Sequence, residues 1–257
     1  MATTPARLKL SWRLGLPHTE DDEAFARLLA LVEEHRRIVD EVALFESVTH
    51  HLYIPLDLYA RRMELFRKRL AALREAGVGS VGINVLTTIG HTNEAWDTMP
   101  PLPFQPMVGH DGAVSRGCAC PNTPELKEYV REKYRLTAKA RPGFIWVDDD
   151  IRMQNHGVPW PCFCPTCLRL FSERTGREWD REALVRELWA PGGGELRAAW
   201  VEHNCASLES LLTEVSKAVA EVDPNIELGL MTAGPGWTTY SGNDFRRWFG
   251  ALGAIKG

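Results

Sequence analysis

The chain has 257 residues, with 30 Lys and Arg against 34 Asp and Glu, a formal net charge of −4 and 44% hydrophobic residues. That balance describes a globular chain long enough to bury a large core, and with no concentrated basic cluster it excludes nucleic acid as the main partner. No run of about 18 apolar residues is present to span a membrane, the N-terminal Met-Ala-Thr-Thr-Pro-Ala-Arg carries no apolar signal core, and six cysteines are too few for a disulfide scaffold. The expected location is therefore cytoplasmic.

Short β-branched or aromatic runs alternate with longer helical patterns from one end to the other, the signature of a parallel α/β fold. A first strand is expected over 8–16, then a helix over 21–34, where Thr19 could cap and Asp21, Asp22 and Glu23 suit the positive dipole end. A second strand over 38–48 is followed by a helix over 56–76, closed by Gly77. The third strand, 80–86, leads into a polar and Pro-rich stretch reaching Asn122. A helix over 124–140 and a fourth strand over 143–149 come next, followed by an insertion of roughly fifty residues, far longer than an ordinary connection. The middle of that insertion, 164–173, should be a short helix. A helix over 200–222 precedes a fifth strand, 226–232, and a final helix begins near Asn243.

Long loops after strands three and four suggest a built site, because function in parallel α/β folds gathers at the C-terminal ends of the strands. Five βα units in this order suit an open sheet or the first part of a (β/α)8 barrel, and no Gly-rich fingerprint supports the nucleotide-binding version. An eight-unit barrel takes about 250 residues, whereas five units account for this whole chain. The final residues read as a helix end and the approach to another strand. The expectation is one TIM-barrel-like domain over 1–257, incomplete at its C-terminus, with an insertion at 110–180.

Cys162-Phe-Cys164-Pro-Thr-Cys167 has a spacing that suits tetrahedral zinc, with a fourth ligand from the Cys118-Ala-Cys120 pair. The alternatives are a redox-active Cys-x2-Cys or a thiol-rich loop. Cys205, among helical leucines, reads as a core residue. Phe144-Ile-Trp-Val-Asp148-Asp149-Asp150 is an apolar strand ending in three carboxylates. Crowded carboxylates repel and raise at least one pKa, as a general acid requires; the alternative is an acidic loop paired with Arg152.

Together, Cys120-Pro-Asn-Thr-Pro, Trp146-Val-Asp-Asp-Asp and Cys162-Phe-Cys-Pro-Thr-Cys-Leu-Arg-Leu-Phe resemble the family 42 β-galactosidases of the glycoside hydrolases. The resemblance is specific over 116–176 and architectural elsewhere. It implies a structural zinc on Cys120, Cys162, Cys164 and Cys167, with Cys118 the competitor for the fourth position, and a sugar contact from Arg116. Where the family has Asn-Glu, with Glu as general acid, this chain has Asp149-Asp150. Aspartate is one methylene shorter, a displacement able to cost orders of magnitude in rate, so a relative with altered chemistry is implied. The family's nucleophile, a Glu at the end of strand seven, is not expected within these residues. Family relatives are often trimers, which makes a homo-oligomer the candidate assembly.

Further candidates for the sugar site are Asp148, Arg152, Glu46 with His50 and His51 after it, and Asn84, which also reads as a barrel-interior polar residue. His156, Trp160, Trp237 and Tyr240 could supply a stacking platform for pyranose rings. The expected function is glycoside hydrolysis of β-galactosides or related oligosaccharides, with Asp150 as general acid and Asp149 or Asp148 tuning its pKa or binding sugar. A substrate-assisted mechanism on an N-acetyl sugar is the second enzymatic version. The non-enzymatic rival is a carbohydrate-binding or scaffold relative that kept the barrel and the zinc.

Overall fold

The computed structural model describes residues 9–91, 101–153, 157–231, 242–253 and 255–256. Six strands form one parallel sheet in the order β1 (Leu10–Leu14), β2 (Val39–Phe45), β3 (Ser80–Val85), β6 (Phe144–Val147), β7 (Glu227–Leu230) and β8 (Ile255–Lys256). Neighbours in the sheet are neighbours in the chain apart from an antiparallel hairpin, β4 (Pro106–Val108) and β5 (Val114–Ala119), inserted between β3 and β6. Strictly sequential parallel order with intervening helices is how a (β/α) barrel is laid down. The approach to a further strand expected at the chain's end is β8, paired to β7.

The helices follow the expected elements closely. A short α1 (Pro17–Glu20) precedes α2 (Asp22–Glu34), and the cap of α2 is Asp21, whose Oδ1 accepts the Ala24 amide at 2.6 Å. Thr19, the expected cap, is buried inside α1, because Pro17 starts a turn of helix that consumes it. α3 (Leu56–Glu75) ends at Gly77, which takes a φ of +99° that a side chain would resist. α4 (Pro124–Lys139), α5 (Pro165–Thr175), α7 (Gly194–Ala220) and α8 (Phe245–Leu252) match predicted helices, while α6 (Arg181–Trp189) was not anticipated. Among the described residues no helix is long and apolar enough to cross a membrane.

Alternation along the strands sorts the two faces of the sheet. Val42, Leu44, Val81, Ile83, Ile145, Val147 and Leu228 point toward the helices and form a core with Tyr59, Phe66 and Leu70 of α3, Val130 and Tyr134 of α4, and Leu208, Leu211 and Val215 of α7. The opposite face carries Phe45, Asn84 and Trp146 in one row, since Asn84 is the register partner of both rings. The Arg13 guanidinium of β1 lies 4.6 Å from the Phe45 ring centre and 5.6 Å from that of Trp146. A second apolar cluster, Phe163, Phe171, Trp179, Leu184, Leu188 and Trp200, gives the insertion its own packing.

Gly82 makes one of these contacts possible: a β-carbon there would collide with the Phe144 ring on the adjacent strand. Gly82→Ala is expected to destabilise the fold by about 1–3 kcal/mol, the cost of overpacking, read as a lower denaturant midpoint with an unchanged m-value.

Candidate active site and cysteine centre

Cys120 ends the hairpin, Cys162 and Cys164 lie in the turn before α5, and Cys167 sits in its first turn. The four sulfurs are buried and lie within 4.8 Å of one another, with Cys120 and Cys167 3.4 Å apart. A tetrahedral ion with metal–sulfur bonds of about 2.3 Å separates its ligands by about 3.8 Å, so the cluster fits a metal of that geometry. Hydrogen bonds from Cys120, Cys162 and Cys167 push the Cys164 thiol far down, while the bond with Cys162 leads in pushing Cys120 well up and the bond with Cys120 leads in pushing Cys167 well up. Asn122 Nδ2 donates to the Cys167 sulfur at 3.2 Å, an outer contact that orients the ligand. Cys118 lies outside the cluster, and burial pushes its thiol up to about 12. The choice between Cys118 and Cys120 therefore falls on Cys120. Cys205 is buried on α7, as expected of a core residue.

The three carboxylates at the end of β6 take three different environments. Asp150 is 0% exposed, and its Oδ2 accepts the backbone amides of Thr88, Ile89 and Gly90 at 2.6, 2.7 and 3.0 Å. Its other oxygen has no hydrogen-bond partner among the described residues. Burial, reinforced by Asp148 and opposed by the three amides, raises its pKa to about 7. Asp148 is 5% exposed and divides its oxygens: Oδ2 lies 3.3 Å from His50 Nε2, while Oδ1 lies 3.5 Å from Asn84 Nδ2 and 3.8 Å from Arg13. The Asp149 side chain, 35% exposed, pairs with Arg152 at 2.8 Å, and Arg152 also reaches the His91 ring. The rings of His50 and His91 are centred 4.8 Å apart.

Asp148, Asp149, Arg152, Asn84 and His50 are thus brought together, and the structure adds Arg13 and His91 to them. Sequence reasoning passed over Arg13 and His91 because single residues of these types carry no local signature. Arg13 has one signal, a cation in the middle of a mainly apolar strand. Glu46 turns inward instead of lining the mouth. It is 0% exposed and lies 3.2 Å from Lys133 Nζ, which also donates to the Thr87 carbonyl at 2.8 Å. Arg116 stands exposed on β5, next to Gly117, whose carbonyl lies directly against Gly90. Trp160 is exposed, whereas His156, Trp237 and Tyr240 fall outside the described residues.

No family model matches the sequence, and no curated protein matches it. Among solved structures, the chain is similar to the β-galactosidase from Rahnella sp. R3, at 16% identity, with 96% of this chain and 38% of that chain covered and a TM-score of 0.64. The β-galactosidase from Marinomonas ef1 follows at 13% identity, 96% and 40% coverage, and a TM-score of 0.61. A catalytic mutant of Gan42B, a GH42 β-galactosidase from G. stearothermophilus, matches at 14% identity, 88% and 36% coverage, and 0.56. The chain therefore shares its fold with these β-galactosidases. The chain spans about two fifths of the length of these structures.

Asp150 generates a prediction with a definite sign. A folded-state pKa of about 7 against an ordinary 3.8 means that the folded chain holds a proton the unfolded chain has released. Its contribution to stability is full below the unfolded value and is lost as pH rises toward about 7. Asp150→Asn keeps an oxygen for the three amides and removes the titration, so stability should fall less between about pH 4 and 7 than in the parent. Asp150→Ala strands three buried amides, at about 1–3 kcal/mol each, and should be the far less stable variant in urea melts at either pH.

Proposed function

We propose that the chain forms part of a carbohydrate-active protein of the glycoside hydrolase type, acting on β-galactosides or related oligosaccharides at the C-terminal mouth of its sheet. The observation that carries this reading is the convergence of Asp148, Asp149, Arg13, Arg152, His50, His91 and Asn84 at that end, beside the aromatic row of Phe45 and Trp146. Aromatic faces with converging charged and amide groups are what a pyranose ring demands, and the shared fold places its chemistry at this end of the strands. Asp149 is the most exposed of the three carboxylates, with Arg152 paired to it. Asp150 serves to hold the loop after β3, a role different from the general acid that the motif comparison implies. Residues 110–180 are best read as an insertion of the same domain, and Arg116 as a rim contact.

The enclosure of Asp150 also supports a second reading, a carbohydrate-binding relative without turnover, because the carboxyl at the position of the family acid is closed off from the mouth. Hydrolysis of aryl β-galactosides by the full-length protein separates the two. The expected result is turnover that Asp149→Asn lowers by about 10²-fold or more, the scale of a lost acid–base group. A much larger effect from Asp150→Asn at unchanged fold would return the acid role to Asp150. Sugar binding without any turnover would establish the binding relative.

The cysteine centre completes the proposal as a structural zinc site on Cys120, Cys162, Cys164 and Cys167. The ion would supply a cross-link between hairpin and insertion and no chemistry at the mouth. Elemental analysis should return one zinc per chain, and Cys164→Ser should lose it together with several degrees of melting temperature. Metal-free parent protein of equal stability would refute the assignment.

A further inference from the structure

We propose that His50, held by Asp148, is the proton-donating group of the mouth, an assignment that rests on the glycoside hydrolase reading above. Three placements support it. The Asp150 carboxyl is sealed in the interior with one oxygen committed to three amides, so it cannot approach a glycosidic oxygen without breaking the loop that it holds. Asp148, two residues earlier, turns one oxygen to the His50 ring at 3.3 Å and has its other oxygen steadied by Asn84 and Arg13. His50 itself follows β2 at the open end of the sheet, and its side chain is 24% exposed where that of Asp148 is 7%. A buried carboxylate that orients a more accessible imidazole is the arrangement by which proteins fix the ring and favour its protonated form.

Among the described residues, the groups facing His50 come from several elements. Asp148 at the end of β6 stabilises the imidazolium, and Arg13 on β1 opposes it through Asp148. His91, after β3, lies 4.8 Å away ring to ring and is itself engaged by the Arg152 cation. Glu46 and Lys133 neutralise one another in the interior below.

In the step, the imidazolium gives a proton to the glycosidic oxygen as the bond from that oxygen to the anomeric carbon breaks. The bonding pair leaves with the oxygen, and the leaving group departs as an alcohol. A water oxygen forms the new bond to the anomeric carbon, and the proton lost from that water goes to Asp149. Exchange with solvent then restores the imidazolium and the carboxylate.

Leaving-group dependence tests the assignment, because a donor matters most where the departing oxygen is basic. Full-length protein and its His50→Gln, Asp148→Asn and Asp150→Asn variants would be assayed on phenyl and 2,4-dinitrophenyl β-galactosides. The expected result is a loss of about 10²–10⁴-fold on the phenyl substrate for His50→Gln, with a loss at least tenfold smaller on the dinitrophenyl substrate. Asp148→Asn should lower the His50 pKa, followed through its ring proton by NMR. Equal losses on both substrates, a leaving-group-selective loss confined to Asp150→Asn, or a His50 pKa indifferent to Asp148 would overturn the donor role while leaving the glycosidase reading intact. Parent protein that turns over neither substrate overturns that reading and the donor role with it, and the NMR titration then reports only whether the pair forms.

Discussion

The backbone of residues 86–90 leaves β3 and crosses the interior before it reaches solvent, and buried peptide groups must find partners. They find them in groups from four different parts of the chain. Glu46 after β2 accepts the Leu86 amide, Lys133 of α4 donates to the Thr87 carbonyl, and Asp150 after β6 accepts the next three amides. Tyr134 meets the Thr88 hydroxyl at 2.8 Å, and the Ala119 amide of β5 donates to the Ile89 carbonyl. This strap ends at His91, so the position of a mouth residue is set by polar groups that never touch the mouth.

That constraint explains why charged residues are buried in a domain this size. Lys133 is enclosed between a carboxylate and a carbonyl, and without them its desolvation would be prohibitive. The balance within the Asp150 site is different. Burial outweighs three amide hydrogen bonds, and the pKa of its carboxyl rises to about 7. Acidic residues in consecutive positions thus serve separate purposes: one closes the interior, one orients a histidine, and one faces solvent beside an arginine. Strand alternation accounts for only part of this, because β6 ends at Val147 and the turn that follows redirects each side chain.

The strands and most helices were legible because period-2 and period-3.6 patterns are strong where one face is packed, and Gly77 and Asp21 mark their termini chemically. The hairpin β4–β5 and α6 were not. Pro106 and the glycines around the hairpin read as loop, and α6 is a nine-residue helix whose burial depends on the insertion's own cluster. The cysteine cluster was legible from spacing, since three ligands share one short segment. The mouth was legible most clearly at β6, where acidic residues follow an apolar run, and beyond it only in Asn84 and His50 as single candidates. Arg13, His50 and His91 come from three other strand ends, and their meeting depends on sheet order, which no local pattern encodes.

The cysteine centre and the mouth are separate sites on one mechanical path. Cys120 lies at the end of β5, and the preceding residue donates its amide to Ile89 in the strap. Two residues further back along β5, Gly117 presses its carbonyl against Gly90, where a φ of +106° and the absence of a β-carbon allow the approach. Gly90 in turn donates to Asp150. Hairpin, strap and the turn after β6 therefore form a continuous set of short contacts, and a metal on the four cysteines would tie its far end, Cys120, to α5. A strap lacking secondary structure of its own cannot by itself hold His91 within a fraction of an ångström. A metal held by the four buried sulfurs would anchor the hairpin and give that strap a rigid wall.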